Sequence, residues 1–236
     1  MNIRNLNIKI FADGADYKTI INSNDDTLIS GFTTNPTLMR KDGVKNYKNF
    51  AQKILSKVNK KPVSFEVFAD DFDKMFEQAK IISSWSDNVN VKIPITNTKG
   101  KSSIDLIKEL HSQKVKLNIT AVFTLDQISE LKKVLIFDTY NIISVFAGRI
   151  ADTGIDPIPI MKDAKKILSN SSTDLLWASP REILNLLQAE ECSVDIITLT
   201  SDLINKLDNI GKPLDTFSLE TVDMFFRDAK ASGYTL

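Results

Sequence analysis

The sequence predicts an α/β protein built as a closed barrel of eight parallel strands that alternate with helices. Eight short apolar or alternating runs recur about every 27 residues, the spacing expected of a strand-plus-helix unit. Amphipathic stretches such as "NYKNFAQKILSKV" and "FDKMFEQAKIISSW" lie between the runs. Eight units in 236 residues fit a (β/α)8 TIM barrel, and a doubly wound open sheet is the alternative. No linker or composition shift divides the chain, so we expect a single domain over residues 1–236.

The predicted strands are rich in Ile, Val, Leu and Phe and are followed by helical patterns. In chain order they cover residues 8–13, 28–35, 62–69, 89–95, 116–123, 140–149, 174–179 and 193–200. An additional C-terminal helix, "SLETVDMFFRDAKASG", follows the eighth unit and ends at Gly233. It has an apolar stripe of Leu219, Val222, Phe225, Phe226 and Ala229. This helix is expected either to close the bottom of the barrel or to dock on a neighbouring subunit.

The composition argues against several classes of partner and compartment. The 30 basic and 30 acidic residues cancel, so nothing favours binding to nucleic acid or to an anionic membrane. The start of the chain lacks a signal-peptide core, and no apolar run is long enough to span a bilayer. The single cysteine, Cys192, excludes internal disulfides. We therefore expect a cytoplasmic protein. We also expect Cys192 and the two tryptophans to serve as packing residues.

The residue inventory also limits the chemistry. The only histidine, His111, is predicted to lie on an exposed helix face near the C-terminal end of that helix. Catalytic triads that need histidine and multi-histidine metal sites are therefore not expected, and acid–base work falls to Asp, Glu, Lys, Tyr or Cys. The eight glycines form no phosphate-binding loop of the P-loop or dinucleotide type. We expect no metal site.

The alternation within the strands predicts which side chains point into the barrel. Alternate residues of a barrel strand point inward and outward, and the outward ones should be the apolar residues that meet the helices. In "VNVKIPI", Val91 and Ile93 point outward on this rule, so Lys92 points inward. The same rule turns polar residues of four further strands inward, near their carboxyl ends: Asp13, Glu66, Asn118, Thr120 and Ser144. So many buried polar groups would be costly unless they form a site.

These inward residues suggest a particular chemistry. A lysine among apolar walls loses hydration, which favours the neutral amine. A neutral amine can attack a carbonyl to form a Schiff base, whose iminium is an electron sink for breaking the adjacent carbon–carbon bond. Glu66 and Asp13 supply proton donors and acceptors, and Thr120 could hold a water between base and lysine. The pattern predicts lysine-dependent carbon–carbon chemistry on a ketone, with no organic cofactor.

Four motifs in the same order resemble the transaldolase family in its short form, which is related to fructose-6-phosphate aldolase. They are "GFTTNP" at 31–36, "VKIP" at 91–94, "NITAVF" at 118–123 and "GRI" at 148–150. Each motif is weak alone, but the ordered set is specific, and the similarity runs from "FADGAD" to about Thr200. The resemblance implies a TIM barrel, sugar-phosphate substrates and a place in the pentose phosphate pathway. It also implies a homo-oligomer.

The resemblance implies a role for each matching residue. Lys92 matches the Schiff-base lysine, Asp13 the aspartate that assists proton transfer during bond cleavage, and Glu66 the glutamate that works with a catalytic water. Thr120 matches the threonine that positions this water. Residues that match groups holding the dihydroxyacetone hydroxyls are Asn35, Asn118 and Ser144, with Thr33 beside them. Residues that match the phosphate-binding group are Arg149, Ser179 and Arg181.

Simpler explanations compete at some of these positions. "SPRE" has the pattern of a helix start with Ser179 as N-cap, which is compatible with anion binding at the helix N-terminus. Asn35 precedes Pro36, so a capping role is equally available to it. Two residues depart from the family pattern. Gly14 stands where relatives usually have a small hydroxyl residue, and Pro180 where they usually have an aromatic.

Two residues discriminate between activities within the family. Relatives that are aldolases typically have glutamine and tyrosine where this chain has Glu66 and Phe146, so we expect group transfer rather than aldol cleavage. The expected reaction moves a dihydroxyacetone unit from sedoheptulose 7-phosphate to glyceraldehyde 3-phosphate. A fructose-6-phosphate or dihydroxyacetone aldolase is one alternative, and a non-catalytic sugar-phosphate-binding protein is another.

Overall fold

Eight parallel strands in chain order close into a barrel in the computed structural model, which describes residues 3–136 and 139–235. Each strand pairs with the next, and β8 pairs with β1 over five residues. The strands are β1 (Lys9–Asp13), β2 (Ile29–Thr33), β3 (Val63–Glu66), β4 (Val89–Pro94), β5 (Leu117–Val122), β6 (Asn141–Val145), β7 (Thr173–Trp177) and β8 (Ile196–Thr200). The predicted barrel is confirmed, and the open sheet is excluded.

The helices follow the strands around the outside of the barrel. Their bounds are α1 (Tyr17–Asn24), α2 (Pro36–Lys41), α3 (Tyr47–Leu55), α4 (Phe72–Ser83), α5 (Ile104–Ser112), α6 (Leu125–Val134), α7 (Ala147–Ala151), α8 (Pro157–Ile167), α9 (Leu184–Glu191), α10 (Ser201–Ile204) and α11 (Leu214–Ser232). Side chains of Asp16, Asp71 and Thr124 cap α1, α4 and α6 by accepting backbone N–H groups of the first turn. These caps place the helix starts just beyond the strand ends where the loops of a site lie.

Two apolar clusters pack on opposite faces of the strands, one on the outward face and one on the inward face. The larger cluster fills the space between strands and helices and includes Ile10, Phe65, Val91, Ile119 and Ile143. The smaller cluster fills the barrel itself and consists of Phe11, Ile142, Leu176, Ala178 and Ile196. The inward and outward assignments made from the alternation are therefore confirmed.

Several predicted strands were longer than the observed ones, and in β6 the difference changes the setting of Arg149. The run 140–149 was predicted as a strand, but β6 ends at Val145 and α7 begins at Ala147. The chain turns at Phe146, whose carbonyl accepts the N–H groups of both Arg149 and Ile150. A short apolar run with a glycine can form either a strand or a helix start, and tertiary contacts decided here. Arg149 therefore projects from the first turn of a helix and not from a strand end.

The prediction that His111 is exposed was wrong. His111 lies at the end of α5 as expected, but it is fully buried. It follows Ile107 by four residues, so it shares the helix face that packs on the sheet. Its Nδ1 lies 3.3 Å from Nδ2 of Asn141 in β6, and burial lowers the pKa of its imidazole. The packing roles of Cys192 and Trp177 are confirmed, since both side chains are buried.

The C-terminal helix α11 is present but does not close the barrel. It ends at Gly233, whose φ of 67° is the left-handed conformation that suits glycine at a helix end. All residues of α11 are described, and none of them is buried. Phe225 and Phe226 are 62% and 67% exposed. Within residues 3–136 and 139–235, no helix is long and apolar enough to cross a membrane.

Candidate active site

A cavity of about 500 Å³ opens at the carboxyl ends of the strands. Side chains from every strand or the loop after it contribute to its wall, as is usual for the functional end of a barrel. Eleven of the twelve residues singled out in the sequence line this cavity: Asp13, Thr33, Asn35, Glu66, Lys92, Thr120, Ser144, Phe146, Arg149, Ser179 and Arg181. The twelfth, Asn118, is fully buried and supports the wall from below. The fold thus brings the separate motifs together.

Lys92 lies at the floor of the cavity. It is only 7% exposed, and β4 holds it in register with Glu66 of β3 and Asn118 of β5. Its Nζ donates a hydrogen bond to the main-chain carbonyl of Thr34 at 2.9 Å and lies 3.3 Å from Oε2 of Glu66. The lysine in the middle of a buried strand is therefore accounted for, since it points into the cavity with oxygen atoms around it.

Asp13, the last residue of β1, is the second acidic group near Lys92. Its Oδ1 accepts a hydrogen bond from Oγ1 of Thr33 at 2.8 Å. Loss of hydration raises the pKa of the Asp13 carboxyl above its usual value. The attraction of Lys92 and the Thr33 hydrogen bond oppose this rise without cancelling it, and the negative charge of Glu66 adds to it. A carboxyl with a raised pKa is suited to exchange protons near neutral pH.

A chain of buried hydrogen bonds fixes the floor beside Lys92. Ser144 Oγ donates to Asn118 Oδ1 at 2.6 Å, and Asn118 Nδ2 donates to Ser64 Oγ at 3.1 Å. These two hydrogen bonds fix the orientation of the Asn118 amide, with its oxygen towards Ser144 and its nitrogen towards Ser64. Ser64 was not singled out in the sequence as a site residue. Its position two residues before Glu66 on the same strand face is the signal that could have done so.

Thr34 is a further residue that the sequence did not single out. It contributes its main-chain carbonyl to Lys92, so its side-chain type carries no direct signal of this contact. Both its N–H and its hydroxyl donate to the carbonyl of Ser64, at 3.1 and 2.9 Å. The next residue, Asn35, caps α2 by accepting the N–H of Leu38 at 2.9 Å. Asn35 also lines the cavity, so capping leaves its amide nitrogen available to a ligand.

Thr120 and Phe146 form part of the wall opposite Asp13. Thr120 is buried in β5 beside Pro94 of β4. The ring of Phe146 lies 5.7 Å from that of Phe123, measured between centroids. The guanidinium carbon of Arg149 lies 5.1 Å from the centroid of Phe146, a cation–π arrangement. Phe146 thus gives this side of the cavity an apolar surface with a cation above it.

The second arginine at the cavity mouth is held by a carboxylate. Arg181 donates from Nε to Asp152 Oδ1 at 3.0 Å and from Nη2 to Asp152 Oδ2. The pair is half-exposed, and its two-point geometry orients the guanidinium plane. Asp152 was not singled out in the sequence. It is the second residue after "GRI", and nothing in that spacing predicts a contact with Arg181.

The prediction that Ser179 caps a helix was wrong. No helix begins at "SPRE", since α9 begins at Leu184 with Ile183 as its N-cap. Ser179 has a φ of 58°, and its carbonyl lies against the backbone of Gly148 in α7. A Cβ added to Gly148 would lie 1.5 Å from that carbonyl oxygen. Close packing of the Ser179 loop on α7, rather than the local cap pattern, therefore decides the conformation here.

Gly14 has an open setting. Its N–H donates to the carbonyl of Thr33 at 3.1 Å, and a Cβ at this position would meet nothing within 4 Å. A larger residue would fit, so glycine is not demanded by packing at this departure from the family pattern. Within the described parts of the chain, no group of three or more His, Cys, Asp or Glu side chains is placed to hold a metal ion.

Comparison with known proteins identifies the family. A sequence model described as Transaldolase/Fructose-6-phosphate aldolase matches residues 10–235. The chain belongs to this family. The match runs from the second residue of β1 to beyond the end of α11, so the resemblance drawn from four short motifs is confirmed.

Individual relatives agree with this assignment. The chain is 32% identical to a "Probable transaldolase" of Nitrosopumilus maritimus, over 96% of this chain and 98% of the relative. It is 35% identical to a "Probable transaldolase 2" of Listeria monocytogenes, over 85% and 88% of the two chains. Among solved structures, a "putative phosphonomutase" from Burkholderia cenocepacia matches with a TM-score of 0.57 and 8% identity over 94% of each chain. That structure supports the barrel fold alone.

Proposed function

We propose that this protein is a transaldolase that acts through a Schiff base on Lys92. It transfers a dihydroxyacetone unit from sedoheptulose 7-phosphate to glyceraldehyde 3-phosphate and yields erythrose 4-phosphate and fructose 6-phosphate. The observation that carries the proposal is the buried amine of Lys92, which faces a polar cavity with Glu66 at 3.3 Å and Asp13 in electrostatic range. Relatives described as probable transaldolases support the choice of reaction.

Schiff-base formation begins when the Lys92 amine attacks C2 of the donor ketose. The amine must first lose a proton, and Glu66 is the carboxylate in contact with its nitrogen. The resulting carbinolamine loses the C2 oxygen as water, which leaves the iminium. We assign Glu66 to the proton transfers of these steps through a water positioned by Thr120, because both residues line the cavity beside Lys92.

Cleavage then breaks the bond between C3 and C4 of the bound sugar. Asp13 accepts the proton of the C4 hydroxyl, the electron pair of the bond moves towards the iminium, and erythrose 4-phosphate leaves. The remaining enamine attacks the aldehyde carbon of glyceraldehyde 3-phosphate, and Asp13 returns the proton to the new hydroxyl. Water finally hydrolyses the iminium and releases fructose 6-phosphate. The raised pKa of Asp13 supports its role as the group that both takes and returns this proton.

The polar wall around Lys92 supports binding of the dihydroxyacetone hydroxyls. Thr33, Asn35 and Ser144 line the cavity, and Asn118 is held behind Ser144 by the 2.6 Å hydrogen bond between them. The phosphate groups are assigned to the cavity mouth, where Arg149, Ser179 and Arg181 converge. Of these, Arg149 makes the cation–π contact with Phe146, whereas Arg181 forms an ion pair with Asp152.

Group transfer is favoured over aldol cleavage by the side chains around the intermediate. An enamine survives until the acceptor arrives only if nothing nearby protonates it. Phe146 presents an apolar ring at this wall, and a phenol there could supply the unwanted proton. Glu66 provides a carboxylate at the position where aldolase relatives have an amide. The fructose-6-phosphate aldolase alternative would need an efficient proton donor at this wall.

The test of the proposed function is covalent trapping on Lys92. Sodium borohydride added with fructose 6-phosphate should fix the mass of a reduced dihydroxyacetone unit on the peptide that contains Lys92. Lys92→Ala should abolish both labelling and turnover in a coupled triose-phosphate assay, whereas Lys108→Ala, on the exposed face of α5, should retain both. Labelling elsewhere, or none, refutes the mechanism. Ligand-induced stabilisation without turnover would support the non-catalytic sugar-phosphate-binding protein, and rapid cleavage without an acceptor would support the aldolase.

We also propose that the protein is a cytoplasmic homo-oligomer and that α11 is part of the subunit contact. The apolar side chains of Leu219, Val222, Phe225 and Phe226 are between 61% and 70% exposed, an uncommon density for a helix surrounded by water. Sedimentation of the wild type should give a multiple of 26.5 kDa, and Phe225→Ser/Phe226→Ser should lower it. A monomeric wild type would contradict this.

A further inference from the structure

A second cavity, of about 430 Å³, lies at the opposite end of the barrel from Lys92. Residues just before four consecutive strands line it: Pro62 precedes β3, Asn88 precedes β4, Lys116 precedes β5 and Tyr140 precedes β6. It shares no lining residue with the cavity that contains Lys92. This lower cavity therefore takes no part in the chemistry proposed above.

A buried amide forms part of the wall of the lower cavity. Asn90 is the second residue of β4, and its pairing with Ser64 and its even spacing from Lys92 place its side chain inside the barrel. It is 1% exposed, and among the described residues its Oδ1 has no hydrogen-bond partner. Buried carboxamide oxygens are rarely left without a donor, because the lost hydration is not replaced. A ligand that offers a hydroxyl or N–H group would satisfy it once the Asn90 side chain rotates to present this oxygen to the cavity, since less than 1 Å² of the atom is accessible now.

The charges around the lower cavity favour an anion. Lys60 and Lys116 both line it, against a single acidic side chain, Asp87. The position of the Lys116 ammonium is fixed by a hydrogen bond, since its Nζ donates to the main-chain carbonyl of Asp87 at 2.7 Å. Two cations against one carboxylate leave a net positive charge, and lysine ammonium groups are common partners of phosphate.

Tyr140 limits the shape of the ligand. Its hydroxyl donates to Asp174 Oδ2 at 2.9 Å, so it is already engaged. What it offers the cavity is the ring, which also packs on the apolar cluster inside the barrel. A ligand here therefore lies between an aromatic wall and the lysines, with one end towards the Asn90 amide.

We propose that the lower cavity is a second ligand site that binds a small hydroxylated anion of the polyol phosphate class. The phosphate contacts Lys60 and Lys116, and a hydroxyl of the polyol donates to Oδ1 of Asn90. The site is separate from the substrate cavity, although Asn90 and Lys92 occupy successive inward positions of β4.

The test counts bound ligand in each cavity separately. Equilibrium dialysis of the wild type against radiolabelled glycerol 3-phosphate should give two molecules per chain, one at each end of the barrel. Lys60→Ser/Lys116→Ser should weaken binding of one molecule at least tenfold and leave transaldolase turnover within about twofold of wild type. The matched control, Lys57→Ser/Lys108→Ser, removes two exposed lysines outside the cavity lining and should bind both molecules.

Two further variants make the result unambiguous. Arg149→Ser should remove the molecule bound at the mouth of the substrate cavity and leave the one in the lower cavity. Asn90→Leu should remove the lower molecule, and the paired lysine variant decides the matter if Asn90→Leu does not fold. A lower molecule retained in Arg149→Ser supports the second site even if trapping on Lys92 fails. The second site is refuted if the wild type binds one molecule per chain and that molecule is lost in Arg149→Ser but retained in the paired lysine variant. The lower cavity would then hold water only.

Discussion

Gly148→Ala should damage the cavity mouth although it adds a single methyl group. Gly148 lies in α7, next to Arg149, and its backbone packs against the loop that carries Ser179 and Arg181. An added Cβ would lie 1.5 Å from the carbonyl oxygen of Ser179, 2.5 Å from its carbonyl carbon and 3.3 Å from the nitrogen of Pro180. These are backbone atoms, so no side-chain rotation can relieve the overlap.

The size of the effect follows from the required movement. An ordinary carbon–oxygen contact needs roughly 3.3 Å, so α7 and the Ser179 loop must separate by about 1.8 Å. Overpacking of this kind costs about 1–3 kcal/mol, which for a chain of this size lowers Tm by roughly 2–12 °C. The same movement displaces the two arginines relative to each other. Misplacement by about 1 Å can cost up to a hundredfold in rate, so kcat/KM for the phosphorylated donor should fall tenfold to a hundredfold.

Gly14→Ala is the matched control, because a Cβ there meets nothing within 4 Å. It replaces a glycine beside Asp13, at the other side of the same cavity. We expect a Tm equal to or slightly above that of the wild type, since alanine restricts the unfolded chain. Differential scanning calorimetry and steady-state kinetics on both variants test the argument. If Gly148→Ala matches Gly14→Ala in both Tm and kcat/KM, the close packing of α7 on the Ser179 loop does not hold the mouth in shape.

Three other substitutions test separate parts of the molecule. Asp13→Asn should lower kcat by about 10²–10⁴-fold. Burial raises the pKa of Asp13, so ionisation of this carboxyl destabilises the folded wild type as pH rises through that pKa. The Tm of Asp13→Asn relative to that of the wild type should therefore increase from pH 4 upward. A Tm difference that stays constant with pH would contradict the raised pKa. Phe146→Tyr should gain cleavage of fructose 6-phosphate without an acceptor, measured as free dihydroxyacetone, and no gain would argue against an apolar wall that protects the enamine. Burial lowers the pKa of His111, so its contribution to stability is present above about pH 6.5 and is lost as pH falls through the lowered pKa. The Tm of His111→Gln should accordingly depend less on pH between 7.5 and 5 than that of wild type, and equal dependence would assign the acid sensitivity to other groups.

The strand alternation was sufficient to place Lys92 and the polar residues around it inside the barrel, whereas the candidate phosphate-binding residues came from the family resemblance. A period of two is a property of the backbone, and outward positions must be apolar to meet the helices. The inward direction of Lys92, Glu66 and Asn118 therefore followed from their neighbours alone. Closure of the barrel then brings these strands into register, which places Lys92 beside Glu66.

Local patterns failed where another element competed with them. The cap pattern at Ser179 was overridden because its loop packs on Gly148, and the strand pattern beyond Val145 was overridden because the chain turns into α7. His111 was predicted to be exposed, although it follows Ile107 by four residues and so lies on the buried face of α5. Of the three, only the Ser179 conformation is decided by a residue distant in the chain.

The sequence by itself determined the barrel, the inward residues and the family, because periodicity and motif order are read along one chain. Only the tertiary structure decided which atoms meet. Two contacts join segments 29 or more residues apart: the Thr34 carbonyl with Lys92, and the Asp152 carboxylate with Arg181. The place of the Asn90 amide at a second cavity depends on the space between the segments that precede the strands. Such contacts depend on the three-dimensional path of the backbone, which no local pattern of residues encodes.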